Sequence, residues 1–259
     1  MVAVSAARQA PRTILRTGTS ERQWRQCPVL AQVPTLPFKR LLQHDKRLVV
    51  VAPHPDDEIL ACGGLLALHS ARGGASLVVV VTHGEASHPL QPGRSAHQLG
   101  QLRCAESHEG LLRLGVAAGP QQVRRLSLPD SALVRHTAVL EGALSALLKP
   151  GDVVVTTWRM DGHPDHEACG CAVARACTVA DCRLLEAPVW MWHWGQPGDE
   201  RVSWTRLVRV PLSAAAVARK QYALAAHTSQ LMPTPTGEAP ILGPTMASRM
   251  ARRAEYFFT

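Results

Sequence analysis

No apolar run in this 259-residue chain approaches the roughly 20 residues that a bilayer-crossing helix requires; Leu48–Ala52 and Leu77–Val81 are among the longest. No membrane span is expected. No secretory leader is expected either. Arg8, Arg12 and Arg16 interrupt any apolar stretch near the start, and no small-residue cleavage site follows one. Acids are scarce in the same region: residues 1–47 hold nine Lys/Arg but only Glu21 and Asp45. That stretch therefore carries +7 of the net charge of +8, and the rest of the chain carries only +1. A nucleic-acid footprint on the folded body is disfavoured, and the segment reads as a solvated basic arm. The cysteines, seven in all, lack paired CxxC spacing. This argues against a structural zinc site and for reduced thiols in a cytoplasmic protein.

A hydrophobic fraction of 46% against 19% charged residues supplies ample core for one α/β domain. Residues 1–45, with four prolines and little periodicity, form the arm, with a short helix expected near Phe38–Gln43. Residues 46–259 form the domain. Strands are expected at Arg47–Ala52, Ser76–Thr82, Val123–Leu128, Asp152–Thr157 and Arg183–Trp192. Helices are expected between them at Glu58–Arg72, Ala96–Leu114, Ala132–Leu148 and Pro164–Ala180. This alternation, with strands apolar throughout, predicts a mostly parallel, Rossmann-like sheet with helices on both faces. Beyond it, Trp204–Val210 reads as a strand, Ser213–Ala225 as a helix and Met232–Pro244 as a Pro-rich loop.

Two segments carry the chemistry. Ala52-Pro53-His54-Pro55-Asp56-Asp57-Glu58 follows one buried strand and opens a helix. Asp161-Gly162-His163-Pro164-Asp165-His166-Glu167 follows another in the same way. In open α/β sheets, ligands bind beyond the carboxyl ends of the strands, where both segments fall. His54 and Asp57 are three apart at a helix entry, as are His163 and His166, so each pair can converge on one point. A catalytic zinc usually takes three protein ligands and keeps an open position for water. His54, Asp57 and one histidine of the second segment would complete such a set. Iron(II) suits the same two-His, one-carboxylate donors.

These two blocks resemble the hallmarks of the LmbE/PIG-L family of metal-dependent N-acetyl-sugar deacetylases. The first departs from the family's shorter Ala-His-Pro-Asp-Asp-Glu form by Pro53, and the second is intact as His163-Pro164-Asp165-His166. Weaker similarities lie at Thr82-His83-Gly84-Glu85, Arg103-Cys104-Ala105-Glu106, Leu128-Pro129-Asp130 and His227-Thr228-Ser229-Gln230. The resemblance runs from about Arg47 to Thr259. It implies that His54, Asp57 and His166 bind one zinc ion and that Asp56 is the general base. It further implies that His163 stabilises the oxyanion or protonates the leaving amine, with Asp165 orienting it. The implied substrate is a small N-acetylated amino-sugar conjugate. The alternatives are a metal amidase or esterase with a non-sugar substrate, or a nucleic-acid-binding protein using the basic arm. A homo-oligomer is left open.

Other residues are less decisive. Asp130, past a strand end, suits a sugar hydroxyl or a turn, and His227 is placed near the site as a second substrate-binding candidate. Glu58 suits a local role at its helix N-terminus. Gly63 and Gly64 suggest close packing of their helix, and Arg103 and Glu106 suggest an i,i+3 salt bridge. Alternation along a strand would place Trp190, Trp192 and Trp194 on one face, as core, as a subunit interface or as an aromatic wall for substrate.

Overall fold

The structure is a computed structural model that describes residues 14, 18–88 and 93–259. Its elements in chain order begin with three short helices, α1 (Glu21–Arg25), α2 (Pro28–Gln32) and α3 (Phe38–Leu41). The body follows as β1 (Leu48–Ala52), α4 (Asp57–Ser70), β2 (Ser76–Thr82), α5 (Ala96–Leu114), β3 (Val123–Leu128), α6 (Thr137–Leu147), β4 (Val153–Thr157), α7 (Pro164–Ala180) and β5 (Arg183–Ala187). The chain ends in α8 (Met191–Trp194), β6 (Leu207–Pro211), α9 (Ala214–Leu224), α10 (Thr228–Leu231), α11 (Pro244–Arg249) and β7 (Ala254–Phe258).

All seven strands join one sheet in the order β3-β2-β1-β4-β5-β7-β6. The first five are parallel, and β7 and β6 close the far edge antiparallel. The expected mostly parallel α/β sheet is what forms. Side-chain alternation explains its two layers. Leu48 and Val50 of β1 face a core shared with Ile59 and Leu65 of α4, Leu111 of α5 and Val217 of α9. Val49 and Val51 face the other, with Leu140 and Leu144 of α6 and Val173 of α7. The strand order reverses between β1 and β4, which are hydrogen-bonded neighbours. Both motif segments leave the carboxyl ends of these two strands, so the topology itself brings them together.

Helix α4 breaks at Cys62, whose φ of −151° and ψ of 26° are not helical. The fully buried break is rebuilt from outside. The Glu255 carboxylate of β7 accepts the backbone N–H of Gly64 and Leu65 at 2.7 and 2.8 Å. Lys220 of α9 donates to the Leu60 carbonyl and to Glu255. A side chain at Gly64 would strike Leu212, so the close packing expected of this glycine is present, against the antiparallel edge.

Three expectations change. The tryptophan run is not a strand: β5 stops at Ala187 and Met191–Trp194 is helical. Pro188 has no N–H for the ladder, and the N–H groups of Val189, Trp190 and Met191 turn instead to the Asp161 carboxylate. The segment expected to be a solvated arm packs one apolar face against the body in its described part. Trp24, Cys27, Leu30 and Val33 are buried against Trp158, Met191, Trp192 and Phe258, while most of residues 1–17 lies outside the described residues. The helix expected at Ala132–Leu148 starts later, at Thr137, after a 3-10 turn over Leu133–Arg135.

Candidate metal centre and active site

His54 lies just past β1, and Asp56 and Asp57 start α4. Asp57 Oδ2 sits 3.1 Å from His54 Nδ1 and 3.2 Å from His166 Nε2. One ligand atom from each of these three buried residues lies within 4.8 Å of the others. The donor types and spacing therefore fit a divalent ion held by two imidazoles and a carboxylate. Each imidazole also has a carboxylate on its far nitrogen. His166 Nδ1 is 2.8 Å from Asp161 Oδ2. His54 Nε2 is 3.2 Å from Asp130 Oδ1 and 3.4 Å from Asp165 Oδ2. Metal-binding histidines commonly have such partners, which fix the ring orientation.

The electrostatics express the same demand for a cation. Burial lowers the pKa of His166, but Asp57 and Asp161 outweigh it and carry it up to about 9. Burial likewise opposes the charged form of His54, yet Asp130, Asp165 and Asp57 raise it well above its ordinary value. Burial pushes the Asp57 carboxyl up, and the two imidazoles hold it far below its usual range. A cation at the centre would take the place of those ring protons.

Asp56 is oriented differently. Its φ of 139° is a conformation that L residues rarely adopt, and such strain costs of order 1–3 kcal/mol. The side chain meets Arg103 of α5, whose Nη2 donates to Asp56 Oδ2 at 3.1 Å and to the Pro55 carbonyl at 3.0 Å. Nη1 of the same guanidinium donates to the Gly84 carbonyl. A Cβ at Gly84, where φ is +68°, would overlap the guanidinium. Burial raises the Asp56 carboxyl to about 7, with Arg103 opposing the rise.

A cavity of about 270 Å³ opens over these groups. Ser87, Asp130, Ser131 and Gln230 contribute polar lining, and Leu60, Trp190 and Leu242 apolar lining. His163 also faces it, with its ring 4.7 Å from that of His166 and 5.1 Å from that of His54. Burial and these two neighbours depress the His163 pKa to about 3. Its Nδ1 accepts the Asp165 backbone N–H, so the neutral ring carries its proton on Nε2.

The residues matched to the motifs thus come together, with three differences from the sequence reading. Asp165 does not orient His163 through its carboxylate, which accepts the N–H of Ser131 and Leu133 and faces His54. Arg103 and Glu106 do not pair with each other. Glu106 instead accepts from Thr228 Oγ1 and from the N–H and hydroxyl of Ser229. His227 is wholly buried, lies outside the cavity lining, and neither ring nitrogen has a hydrogen-bond partner among the described residues. Glu58 has the expected local role, accepting from Ser107 Oγ and Asp56 N.

Residues 49–177 match the PIG-L family, described as GlcNAc-PI de-N-acetylase. The chain belongs to the PIG-L family. A 1D-myo-inositol 2-acetamido-2-deoxy-alpha-D-glucopyranoside deacetylase of Tsukamurella paurometabola is 27% identical over 256 aligned positions, covering 75% of this chain and 86% of that protein. The Mycobacterium sp. (strain KMS) protein of the same name is 36% identical over 145 positions, covering 46% of each chain. Among solved structures, a conserved protein of Thermus thermophilus superposes with a TM-score of 0.58 at 25% identity, covering 82% of this chain and 93% of that one. The family match includes His54, Asp56, Asp57, His163, Asp165 and His166, and it ends before α8 and the antiparallel edge.

Asp161 opens the second motif segment, and nothing in the residue types there sets it apart from a turn aspartate. The available signal was its place two residues before His163 in the same loop. Arg103 gave no such signal, because its partner lies 47 residues away.

Proposed function

We propose that this PIG-L protein is a divalent-metal-dependent N-deacetylase that hydrolyses the acetamido group of an amino-sugar conjugate. The observation that carries the reading is the Asp57 carboxylate between His54 Nδ1 and His166 Nε2, beneath a cavity that also holds Asp56 and His163. His54, Asp57 and His166 would hold the ion, zinc by donor type, with iron(II) also suited. When bound, that ion supplies Lewis acidity toward water and the amide carbonyl.

The remaining steps belong to the chain's own residues. Asp56, with a pKa near neutrality, is suited to take a proton from the attacking water and to return it to the departing amine nitrogen as the C–N bond breaks. Arg103 fixes the orientation of that carboxylate. The Nε2–H of neutral His163 donates toward the carbonyl oxygen as it gains negative charge, so His163 acts as an oxyanion donor. Asp130, Ser87, Ser131 and Gln230 offer polar partners to sugar hydroxyls. The names of the relatives and of the family support the amino-sugar class.

Among the described residues, no helix is long and apolar enough to cross a membrane. The cysteines are all unpaired, which accords with the cytoplasm as the place of action. The test is release of free amine from a panel comprising N-acetylglucosaminyl-inositol, simple N-acetyl glycosides, and non-sugar acetamides and esters. Each would be assayed after chelation and after return of zinc or iron(II). Turnover of sugar conjugates only with metal is expected. Exclusive turnover of non-sugar acetamides or esters would assign the site to the amidase or esterase reading.

A further inference from the structure

The Asp161 carboxylate, fully buried in the loop between β4 and α7, has two sets of partners. On one side its Oδ2 meets His166 Nδ1 at 2.8 Å. On the other, Oδ1 accepts the N–H of Val189 and Met191, and Oδ2 that of Trp190, each at 2.9 Å. Its backbone carbonyl accepts Trp194 Nε1 at 2.6 Å. One residue therefore ties a candidate ligand to the whole 189–194 segment.

That segment is gripped in turn by the N-terminal helix and the residues before it. Thr19 N donates to the His193 carbonyl at 2.9 Å, and Thr19 Oγ1 to that of Gly195. Trp24 Nε1 donates to the Trp192 carbonyl at 2.8 Å, and the two indoles meet edge to face at 5.1 Å. Arg252 stacks over the Trp192 ring at 4.1 Å while its guanidinium holds Glu21. Neither gripping nor gripped segment falls within residues 49–177, so this assembly lies outside the family match.

We infer that Asp161 is a positioning residue for His166, and that residues 19–24 act through it, bracing the metal-binding imidazole by clamping α8. The inference rests on the reading that His166 holds the ion. The carboxylate on Nδ1 keeps that nitrogen protonated, so Nε2, which faces Asp57, is the nitrogen that would hold the ion. The three backbone N–H donors fix where the carboxylate sits, and their own position depends on the turn at Pro188 and on α8. Packing alone would account for buried tryptophans. It would not account for a buried carboxylate joining their backbone to His166.

The test is zinc affinity, measured by competition with a chromogenic chelator, together with circular dichroism. Four full-length proteins are compared: wild type, Asp161→Asn, Trp24→Phe and the double variant. Trp24→Phe removes the indole N–H but keeps an aromatic ring. Asp161→Asn should weaken zinc binding 10- to 100-fold, the usual cost of losing such a partner. Trp24→Phe should weaken it several-fold in the wild-type background and add nothing in the Asp161→Asn background, because both act through one contact. Equal zinc affinity in Asp161→Asn and wild type would overturn the positioning role. No effect of Trp24→Phe, or an effect undiminished in the double variant, would overturn the brace. If Asp161→Asn does not fold, Asp161→Glu keeps the charge but displaces it and serves in the same cycle. A wild-type protein that binds no divalent ion would instead overturn the metal reading on which the inference rests.

Discussion

Arg103 and Asp56 form a buried ion pair at 3.1 Å across 47 residues of sequence. The pair joins α5 to the entry of α4 and aims the carboxylate into the cavity. The guanidinium also holds two backbone carbonyls, those of Pro55 and Gly84, so its fork geometry matters as much as its charge.

Arg103→Lys should therefore keep the charge and lose the positioning. We expect unchanged metal stoichiometry by mass spectrometry and a kcat lower by roughly 10-fold or more, within the range for general-base contributions. Arg103→Met should be worse in a second respect. It leaves Asp56 buried and unpaired, at a cost of about 3–5 kcal/mol by chemical denaturation. Full kcat in Arg103→Lys would remove Arg103 from the positioning of the base.

Asp165 and His163 should separate by readout. The Asp165 carboxylate faces His54 Nε2, so Asp165→Asn should weaken metal binding by about 10-fold, as loss of a partner behind a ligand does. His163→Ala should retain the ion and lose activity, because its ring faces the cavity without joining the three converging donors. Chelator competition and steady-state kinetics on both variants check this. Tight metal binding in Asp165→Asn, with the loss confined to kcat, would return Asp165 to the chemistry at His163.

Much of this site was legible in the sequence because its residues are local to two strand–turn–helix segments. His54 with Asp57, and His163 with His166, each follow a buried run and open a helix, and β1 and β4 prove to be neighbours. What could not be read lies in contacts between distant segments. Arg103 has Glu106 one turn away, and only the tertiary structure shows that each has a better partner elsewhere. The tryptophan run alternates as a strand would, yet Pro188 and the Asp161 carboxylate turn it into a helix. Trp24 and Leu30 lie in a basic, Pro-containing stretch whose polarity masks the apolar face they present to Trp192 and Phe258. The antiparallel β7 leaves little trace in the sequence, because Ala254–Phe258 is short and charged near its start, and Glu255 serves the α4 break rather than solvent.

That break yields a prediction about stability. Lys220 and Glu255, both buried, bridge the interrupted hydrogen bonds of α4. Lys220→Met should cost about 3–5 kcal/mol, because Glu255 would remain buried without its cation. Adding Glu255→Gln should recover part of the loss, since a neutral amide oxygen still accepts from the helix while no charge is stranded. Urea denaturation of the three proteins measures both steps. A double variant no more stable than Lys220→Met would show that the stranded charge is not the source of the loss.

His227 provides a pH-dependent prediction. Burial, aided by Arg103 and Arg113, lowers its pKa to about 3, and neither ring nitrogen has a hydrogen-bond partner among the described residues. In the unfolded chain the same imidazole takes up a proton below about pH 6.5. Between these values the unfolded state binds the extra proton, so stability falls as the pH drops through that window. The slope from one group is about 1.4 kcal/mol per pH unit, or about 2 kcal/mol between pH 6.5 and 5. His227→Leu removes the titration and leaves no buried polar atom unmatched. Relative to wild type, it should therefore gain about 2 kcal/mol as the pH falls from 7.5 to 5. Urea midpoints at the two pH values, converted with a common m-value, give the comparison. A difference between the proteins that does not change with pH would mean that His227 is protonated in the folded state or finds a partner there.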